Sequence, residues 1–264
     1  MPVAGIDIGS LSTEVVILDK GKILAEIIIP TGANSKTAAE KAMQMGLEKS
    51  GLSLDNLQYI IATGYGRISA PFAHDKVTEI TCHGRGAFYL EPGVRSVIDI
   101  GGQDSKVIRL NSHGKVVDFV MNEKCAAGTG RFLEVMAHAL EIDLSEMSRL
   151  AQLAKRAVTI SSMCTVFAES EVVSLIAEGR PLEEIVKGII ASIVERTVAM
   201  ANRVGLEEKV MMTGGVAKNA AVVKELQESL GMKVTVPREP QIVGALGAAL
   251  LAEEALGNKE GQNR

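Results

Sequence analysis

A stretch that occurs twice decides the fold. Residues 5–18 read Gly-Ile-Asp-Ile-Gly-Ser-Leu-Ser-Thr-Glu-Val-Val-Ile-Leu, and residues 97–110 read Val-Ile-Asp-Ile-Gly-Gly-Gln-Asp-Ser-Lys-Val-Ile-Arg-Leu. Each copy has an apolar strand, a glycine turn and a second strand, and each is followed by a turn with Gly-Lys, at 21–22 and 114–115. This order predicts a β-meander at the start of each half of the chain. The near-identical spacing indicates an internal duplication, with a boundary near residues 91–93.

After each meander, the pattern of apolar residues alternates between helix and strand. Helices are predicted at residues 37–50, 131–140, 182–204, 217–230 and 243–256, and strands at 57–63, 209–213 and 234–236. Strands that alternate with helices predict an α/β protein with two lobes. We place the first lobe at residues 1–92 and the second at 93–240, and the last helix, 243–256, can pack back on the first lobe.

Composition and charge exclude several classes of protein. The chain has 264 residues, of which 47% are hydrophobic and only 3% aromatic, so its core depends on aliphatic side chains. A net charge of −4 argues against a nucleic-acid binder, which normally carries a basic surface. No apolar run approaches the roughly 18 residues of a membrane span, and the first residues lack the pattern of a signal peptide. We therefore expect a cytoplasmic protein that binds neither nucleic acid nor membrane.

The first turn of each repeat has the sequence Asp-x-Gly, at residues 7–9 and 99–101. A glycine turn lets backbone N–H groups approach a phosphate closely, and an aspartate beside it can hold Mg²⁺ directly or through water. The common phosphate-binding loop Gly-x-x-x-x-Gly-Lys-Ser/Thr does not occur in the chain. A third glycine pair, Gly214 and Gly215, follows a predicted strand, where bare backbone could lie against adenine or ribose. Together these features predict a bound nucleoside triphosphate.

In this order, the segments 6–10, 98–104 and 212–217 resemble the phosphate and adenosine motifs of the actin/Hsp70/sugar-kinase (ASKHA) superfamily. The resemblance implies duplicated ribonuclease-H-like lobes with a nucleotide cleft between them, and ATP or ADP bound with Mg²⁺. It assigns Asp7 and Asp99 as catalytic residues that hold Mg²⁺ through water. It places against the nucleotide Gly9, Ser10, Leu11, Ser12, Thr13 and Glu14 in the first turn, Gly101, Gly102 and Gln103 in the second, and Gly214, Gly215 and Gln241 at the nucleoside.

The chain has three cysteines, an odd number that does not form a disulfide framework. Cys125 and Cys164 each precede a predicted helix, whose positive end favours a thiolate. A cubane iron–sulfur cluster needs four thiolates, which two copies of the chain could supply across a two-fold axis. From the residues alone, separate buried thiols remain the more frequent arrangement.

Three segments, 62–67, 124–132 and 161–171, resemble signature sequences of the activators of 2-hydroxyacyl-CoA dehydratases, which are relatives of the ATPase subunits of benzoyl-CoA reductase. The resemblance implies an anaerobic homodimer with one [4Fe–4S] cluster between its subunits, ligated by Cys125 and Cys164 of each chain. It also implies an ATPase coupled to electron transfer. A ferredoxin or flavodoxin would supply a low-potential electron, and a 2-hydroxyacyl-CoA dehydratase would receive it.

Two residues need separate interpretations. Glu14 stands where the family often has a lysine, and a carboxylate near a triphosphate is unfavourable unless it turns outward or touches metal. The role of residues 12–14 is therefore open. Cys82 is not a cluster ligand in the family, and we expect a structural thiol there.

Three alternative functions remain open at this point. The same fold serves small-molecule kinases such as sugar kinases, although 264 residues leave little room for a sugar-binding insertion. An actin-like scaffold that polymerises on nucleotide is the second alternative. The third is an activator of another double-cubane reductase.

Overall fold

A computed structural model describes residues 1–161 and 164–262 of the chain. Ser162 and Met163, which belong to the segment around Cys164, lie outside the described residues. Contacts between residues divide the chain into two units. Unit 1 comprises Met1–Val94, Leu110–Val117 and Arg238–Arg264, and unit 2 comprises Arg95–Arg109 and Asp118–Pro237.

Strands and helices alternate along the chain after each meander. The elements are β1 (Val3–Ile8), β2 (Ser12–Asp19), β3 (Lys22–Pro30), α1 (Ser35–Ser50), β4 (Tyr59–Thr63), β5 (Asp75–Lys76), α2 (Glu79–Leu90), β6 (Ser96–Ile100), β7 (Ser105–Leu110), β8 (Val116–Asn122), α3 (Gly130–Ala139), α4 (Met147–Leu153), α5 (Thr165–Ala177), α6 (Leu182–Val204), β9 (Val210–Thr213), α7 (Ala220–Leu230), β10 (Val234–Thr235) and α8 (Val243–Gln262).

Unit 1 is built on a five-stranded sheet in the order β3-β2-β1-β4-β5. β1 is antiparallel to β2 and parallel to β4, so the predicted meander lies beside parallel strands. Helix α1 begins where the Asn34 side chain accepts a hydrogen bond from the Thr37 N–H, and it ends at Gly51, which has a φ of 70°. Ala42 and Leu47 of α1 belong to the apolar core on one face of this sheet.

Helix α8 covers the other face of the same sheet. Val16 and Leu18 of β2 share a core with Leu246 of α8, whereas their neighbours along β2 belong to the core beneath α1. At Gly5 the helix comes so close that a Cβ atom would overlap the Ala245 carbonyl oxygen. Because both faces of the sheet are buried, four consecutive residues of β2, Val15 to Leu18, are apolar and fully buried.

Unit 2 contains the second sheet, in the order β10-β9-β6-β7-β8. β6 is antiparallel to β7 and parallel to β9, which repeats the arrangement of β1 with β2 and β4. The long helix α6 contributes Ile189 and Ile193 to a core that also includes Ile98, Phe132 and Leu226. The duplication inferred from the sequence is therefore present in strand order and direction.

The predicted alternation of helices and strands is confirmed, with small shifts at the ends. The predicted helix 182–204 has the bounds of α6. The predicted helix 217–230 begins only at Ala220, because Asn219 caps it and Gly215–Lys218 forms a separate 3₁₀ turn. None of the helices in the described ranges is long and apolar enough to cross a membrane.

Candidate functional site

The first Asp-x-Gly turn connects β1 and β2 in unit 1. The Gly9 N–H donates to the Ser12 carbonyl at 2.9 Å, and a Cβ on Gly9 would lie 2.8 Å from that oxygen, so the tight turn favours glycine. Ser10, Leu11 and Ser12 are half-buried and form the accessible part of the turn. The structure also places Gln241 here, with its Nε2 3.4 Å from the Ser12 hydroxyl.

Thr13 lies beneath this turn and is fully buried. Its hydroxyl is 2.8 Å from the hydroxyl of Thr31, which donates to the Gly9 carbonyl at 2.9 Å. The Thr31 N–H also donates to the Leu11 carbonyl at 2.9 Å. These bonds brace the turn from its protein side, and the phosphate contact assigned to Thr13 stays a prediction.

Asp7 is the penultimate residue of β1 and lies in a buried position opposite Glu14 on β2. Its Oδ2 lies 3.8 Å from Nε2 of His83, and a Cβ on Gly244 would overlap the same carboxylate. Glu14 is also buried, so its side chain does not turn outward. An outward orientation was one way to explain a glutamate at the position where the family often has a lysine. The structure thus brings two carboxyl groups and an imidazole to the base of the first turn.

The second Asp-x-Gly turn connects β6 and β7 in unit 2. The Gly101 N–H donates to the Asp104 carbonyl at 3.0 Å, as Gly9 does to Ser12 in the first turn. Lys106 Nζ lies 3.0 Å from Asp99 Oδ2 and 2.9 Å from Asp104 Oδ2. Thr213 on β9 donates to Asp99 Oδ1 at 2.8 Å. Within this turn, Gly102 is half-buried and Gln103 is exposed.

Strand pairing places four pairs of residues at matching positions in the two hairpins, and one of these pairs is opposite in charge. The matching positions are Asp7 and Asp99, Glu14 and Lys106, Thr63 and Thr213, and Gly64 and Gly214. Gly64 and Gly214 have φ values of 84° and 82°, and a Cβ on either would crowd the aspartate of its own hairpin. Where unit 2 has a buried lysine opposite its aspartate, unit 1 has a buried glutamate.

Sequence reasoning missed several residues of this site. Thr63 and Thr213 end the parallel strands beside each turn, and both are followed by glycine, so a repeated Thr-Gly at a strand end was an available signal. Lys106 and Asp104 lay inside the quoted repeat without an assigned role. The position of His83 beside Asp7 depends on the packing of α2 and had no sequence signal.

The second turn is joined by hydrogen bonds to the start of helix α3. The Gly130 N–H donates to the Gly101 carbonyl at 2.9 Å, and the Arg131 N–H donates to the Gly102 carbonyl at 2.8 Å. Cys125 lies in the loop before α3 and not in its first turn, which begins after Thr129.

Cys164 is the N-cap residue of α5, as its position before a helix predicted. Cys125 and Cys164 are both half-buried free thiols, whereas Cys82 is buried, and burial raises the pKa of the Cys82 thiol to about 12. Over residues 1–161 and 164–262, no three His, Cys, Asp or Glu side chains are placed to hold a metal ion. Cys125 and Cys164 are therefore the partly accessible thiols in the part of the chain that the structure describes.

Comparison with known proteins gives consistent matches along the chain. Residues 4–252 match the model of the BadF/BadG/BcrA/BcrD ATPase family. The activator of lactoyl-CoA dehydratase from Anaerotignum propionicum is 48% identical over 256 residues, which cover 97% of this chain and 98% of that protein. A solved structure, the activator of the 2-hydroxyisocaproyl-CoA dehydratase from Clostridium difficile with bound ADPNP, is 40% identical, with a TM-score of 0.93 over 99% of this chain and 98% of that one.

A more distant solved structure bears on the fold alone. The ROK hexokinase from Thermus thermophilus is 16% identical, with a TM-score of 0.57 over 97% of this chain and 100% of that chain. With the two matching sheets, this likeness confirms the predicted actin/Hsp70/sugar-kinase fold.

Proposed function

The chain belongs to the BadF/BadG/BcrA/BcrD ATPase family, and from this membership we propose that it is an ATP-dependent activator that passes one electron to a 2-hydroxyacyl-CoA dehydratase. The observation that carries the proposal is the similarity to the lactoyl-CoA dehydratase activator, which extends over 97% of this chain and 98% of that protein. The match extends over nearly the full length of both proteins. A nucleotide-binding domain shared by proteins of different function would match over that domain alone.

In this proposal both Asp-x-Gly turns contact the phosphates of ATP. The accessible groups are the backbone and hydroxyls of residues 9–12 and the backbone and amide of residues 101–103. Asp7 and Asp99 would hold Mg²⁺ through water at the ends of β1 and β6. Thr13 and Glu14 would complete the first half of the nucleotide site from the buried side of the first turn, where Thr13 bonds to Thr31 and Glu14 lies opposite Asp7. Gly214, Gly215 and Gln241 would contact the nucleoside.

The cysteines support one [4Fe–4S] cluster held by two copies of the chain. Cys125 and Cys164 are free and half-buried, and a cubane cluster needs four thiolates, so a second copy would complete the set. The lack of a larger metal-binding group in the described ranges fits this sharing. When bound, the cluster supplies one-electron transfer.

The surface of α5 supports a homodimer near Cys164. The helix begins directly after this cysteine and exposes Val166, Phe167, Val173 and Ile176. Apolar side chains gathered on one exposed helix are typical of a surface that meets another protein. A two-fold axis beside this helix would bury them and bring the thiols of two chains together.

The hydrogen bonds of the second turn supply a route from nucleotide to cysteine within unit 2. A phosphate that contacts Gly101 and Gly102 acts on the same residues that accept hydrogen bonds from Gly130 and Arg131. Movement of those donors moves the start of α3 and the loop that carries Cys125. We expect reduced ferredoxin or flavodoxin as the electron donor, in the cytoplasm.

The proposal is tested with lactoyl-CoA dehydratase, a reduced ferredoxin and ATP under strict exclusion of oxygen, by measuring dehydration of the acyl-CoA. We expect dehydration only when both this protein and ATP are present. Cys125→Ala and Cys164→Ala should abolish it, and Cys82→Ala, the matched loss of a thiol elsewhere, should retain it. Dehydration that proceeds equally without ATP, or equally with Cys125→Ala, would contradict the proposal.

A further inference from the structure

Lys106 is a buried cation with two carboxylate partners. Its side chain is 4% exposed, and its Nζ lies 3.0 Å from Asp99 Oδ2 and 2.9 Å from Asp104 Oδ2. A buried ammonium is unfavourable unless opposite charges and hydrogen bonds compensate its lost hydration. Asp99 is equally buried, whereas the Asp104 side chain is 24% exposed. Lys106 therefore forms ion pairs with one buried carboxylate, Asp99, and with one that is closer to the surface, Asp104.

The two acids lie on opposite sides of the second Asp-x-Gly turn. Asp99 begins the turn at the end of β6, and Asp104 lies at its other end, directly before β7, so the single ammonium group of Lys106 links the two ends of the turn. The other oxygen of Asp99 accepts a hydrogen bond from Thr213. The carbonyls of Gly101 and Gly102 are held by the start of α3. The turn is thus fixed by side chains on one side and by a helix on another.

The first hairpin shows that a turn of this kind forms without such a lysine. Glu14 occupies the position of Lys106, yet the Gly9 N–H still bonds to the Ser12 carbonyl at 2.9 Å. The fold of the hairpin alone does not account for the lysine at position 106. What Lys106 adds in unit 2 is a fixed position for Asp99 and Asp104 around the exposed Gln103.

We infer that Lys106 is a positioning residue for nucleotide binding, which acts through Asp99 and Asp104. By holding both acids, it keeps Gly102 and Gln103 in the conformation that meets the phosphates, before the nucleotide arrives. The inference rests on the ATP site of the proposed function and adds a residue to it. Preorganisation of this kind raises affinity because the ordering of the turn is already complete in the free protein.

The deciding variant is Asp104→Asn, which removes one of the two carboxylate charges that face Lys106. The buried ion pair between Lys106 and Asp99 remains in this variant. We expect its affinity for Mg²⁺-ADPNP, measured by calorimetry on the full chain, to fall by about tenfold or more, since charge-assisted bonds of this type carry that much. Its thermal midpoint should stay close to that of the wild type. Lys106→Gln should lose at least as much affinity, and Lys106→Arg should recover part of it.

Lys224→Gln is the matched control, because Lys224 pairs with Glu228 at 3.9 Å on the exposed surface of the same unit. It should bind the nucleotide like the wild type. The inference is overturned if Asp104→Asn binds within twofold of the wild type, or if it loses binding only in proportion to its unfolded fraction. These titrations need no dehydratase, so a wild type that binds ADPNP but activates nothing would refute the proposed function alone. A wild type that binds no nucleotide would refute both.

Discussion

The Asp99 carboxylate and the Lys106 ammonium group lie 3.0 Å apart at the base of the second Asp-x-Gly turn, with side chains only 3% and 4% exposed. A buried pair of this kind is destabilised strongly when one partner is lost, because the other charge remains without compensation. At the matching place in the first hairpin, the aspartate faces Glu14. The two hairpins therefore have the same backbone arrangement, but the residue that faces the aspartate is acidic in the first and basic in the second.

The first prediction concerns the stability of this pair. Asp99→Ala should lower the free energy of unfolding by about 3 kcal/mol, because Lys106 would keep only the partly exposed Asp104. Urea unfolding without nucleotide measures it. Glu228→Gln removes a carboxylate from an exposed lysine pair and should change stability by less than about 1 kcal/mol. Equal losses in the free energy of unfolding of the two variants would show that the buried ion pair stabilises the protein no more than an exposed pair does.

The second prediction concerns the space around Asp7. A Cβ at Gly244 would overlap Asp7 Oδ2 and approach His83 Nε2, so Gly244→Ala should displace the carboxylate. We expect at least a tenfold loss of ATP hydrolysis, since a catalytic group displaced by about 1 Å loses much of its effect. Gly257→Ala lies in the same helix with open space around it, and it should leave hydrolysis unchanged. Normal ATP hydrolysis by the Gly244→Ala variant would contradict a catalytic role of Asp7.

The third prediction separates the three thiols. Cys82 is fully buried, and burial raises its thiol pKa to about 12, so it stays protonated at pH 7 to 9. Iodoacetamide should label Cys125 and Cys164 in the metal-free native protein and reach Cys82 only in denaturant, as mass spectrometry of peptides would show. Because the folded pKa of Cys82 lies above its unfolded value, its contribution to stability should decline as the pH rises from about 9 through 12. Early labelling of Cys82 would contradict its burial.

The fourth prediction concerns the apolar surface of α5. In the proposed homodimer, Phe167→Asp should shift the protein towards monomer, because a carboxylate in an apolar interface loses hydration without a partner. Sedimentation velocity measures the shift. Ile68→Asp alters another exposed apolar residue, in unit 1, and should leave the assembly unchanged. If both variants remain dimeric, α5 is not the contact between copies.

Much of the fold followed from local sequence. The repeated Ile-Asp-Ile-Gly and the apolar alternation determined both meanders, because strand period and glycine turns are short-range features. The start of α7 was missed, since a cap at Asn219 and a 3₁₀ turn before it compete with a continuous apolar pattern. The predicted strands 57–63 and 209–213 end at the same residues as β4 and β9. Their parallel pairing with β1 and β6 joins distant parts of the chain, and local sequence does not specify it.

The site could be predicted only where the repeat marked it. Asp7 and Asp99 stood out because they recur at the same place in each copy. The partners of these acids could not be predicted in the same way: His83 reaches Asp7 through the packing of α2, and Lys106 on β7 reaches Asp99 on the neighbouring strand β6. The proposed roles of Cys125 and Cys164 came from resemblance, because a ligand set divided between two chains would leave no complete motif in either.

Analysis of iron, sulfide and native mass on one oxygen-free sample tests the central claim most directly. A cluster shared by two chains predicts about four iron and four sulfide atoms per dimer, and their loss in Cys125→Ser and in Cys164→Ser but not in Cys82→Ala. A colourless wild-type monomer without iron would contradict the account of electron transfer and leave an ATPase without a cluster.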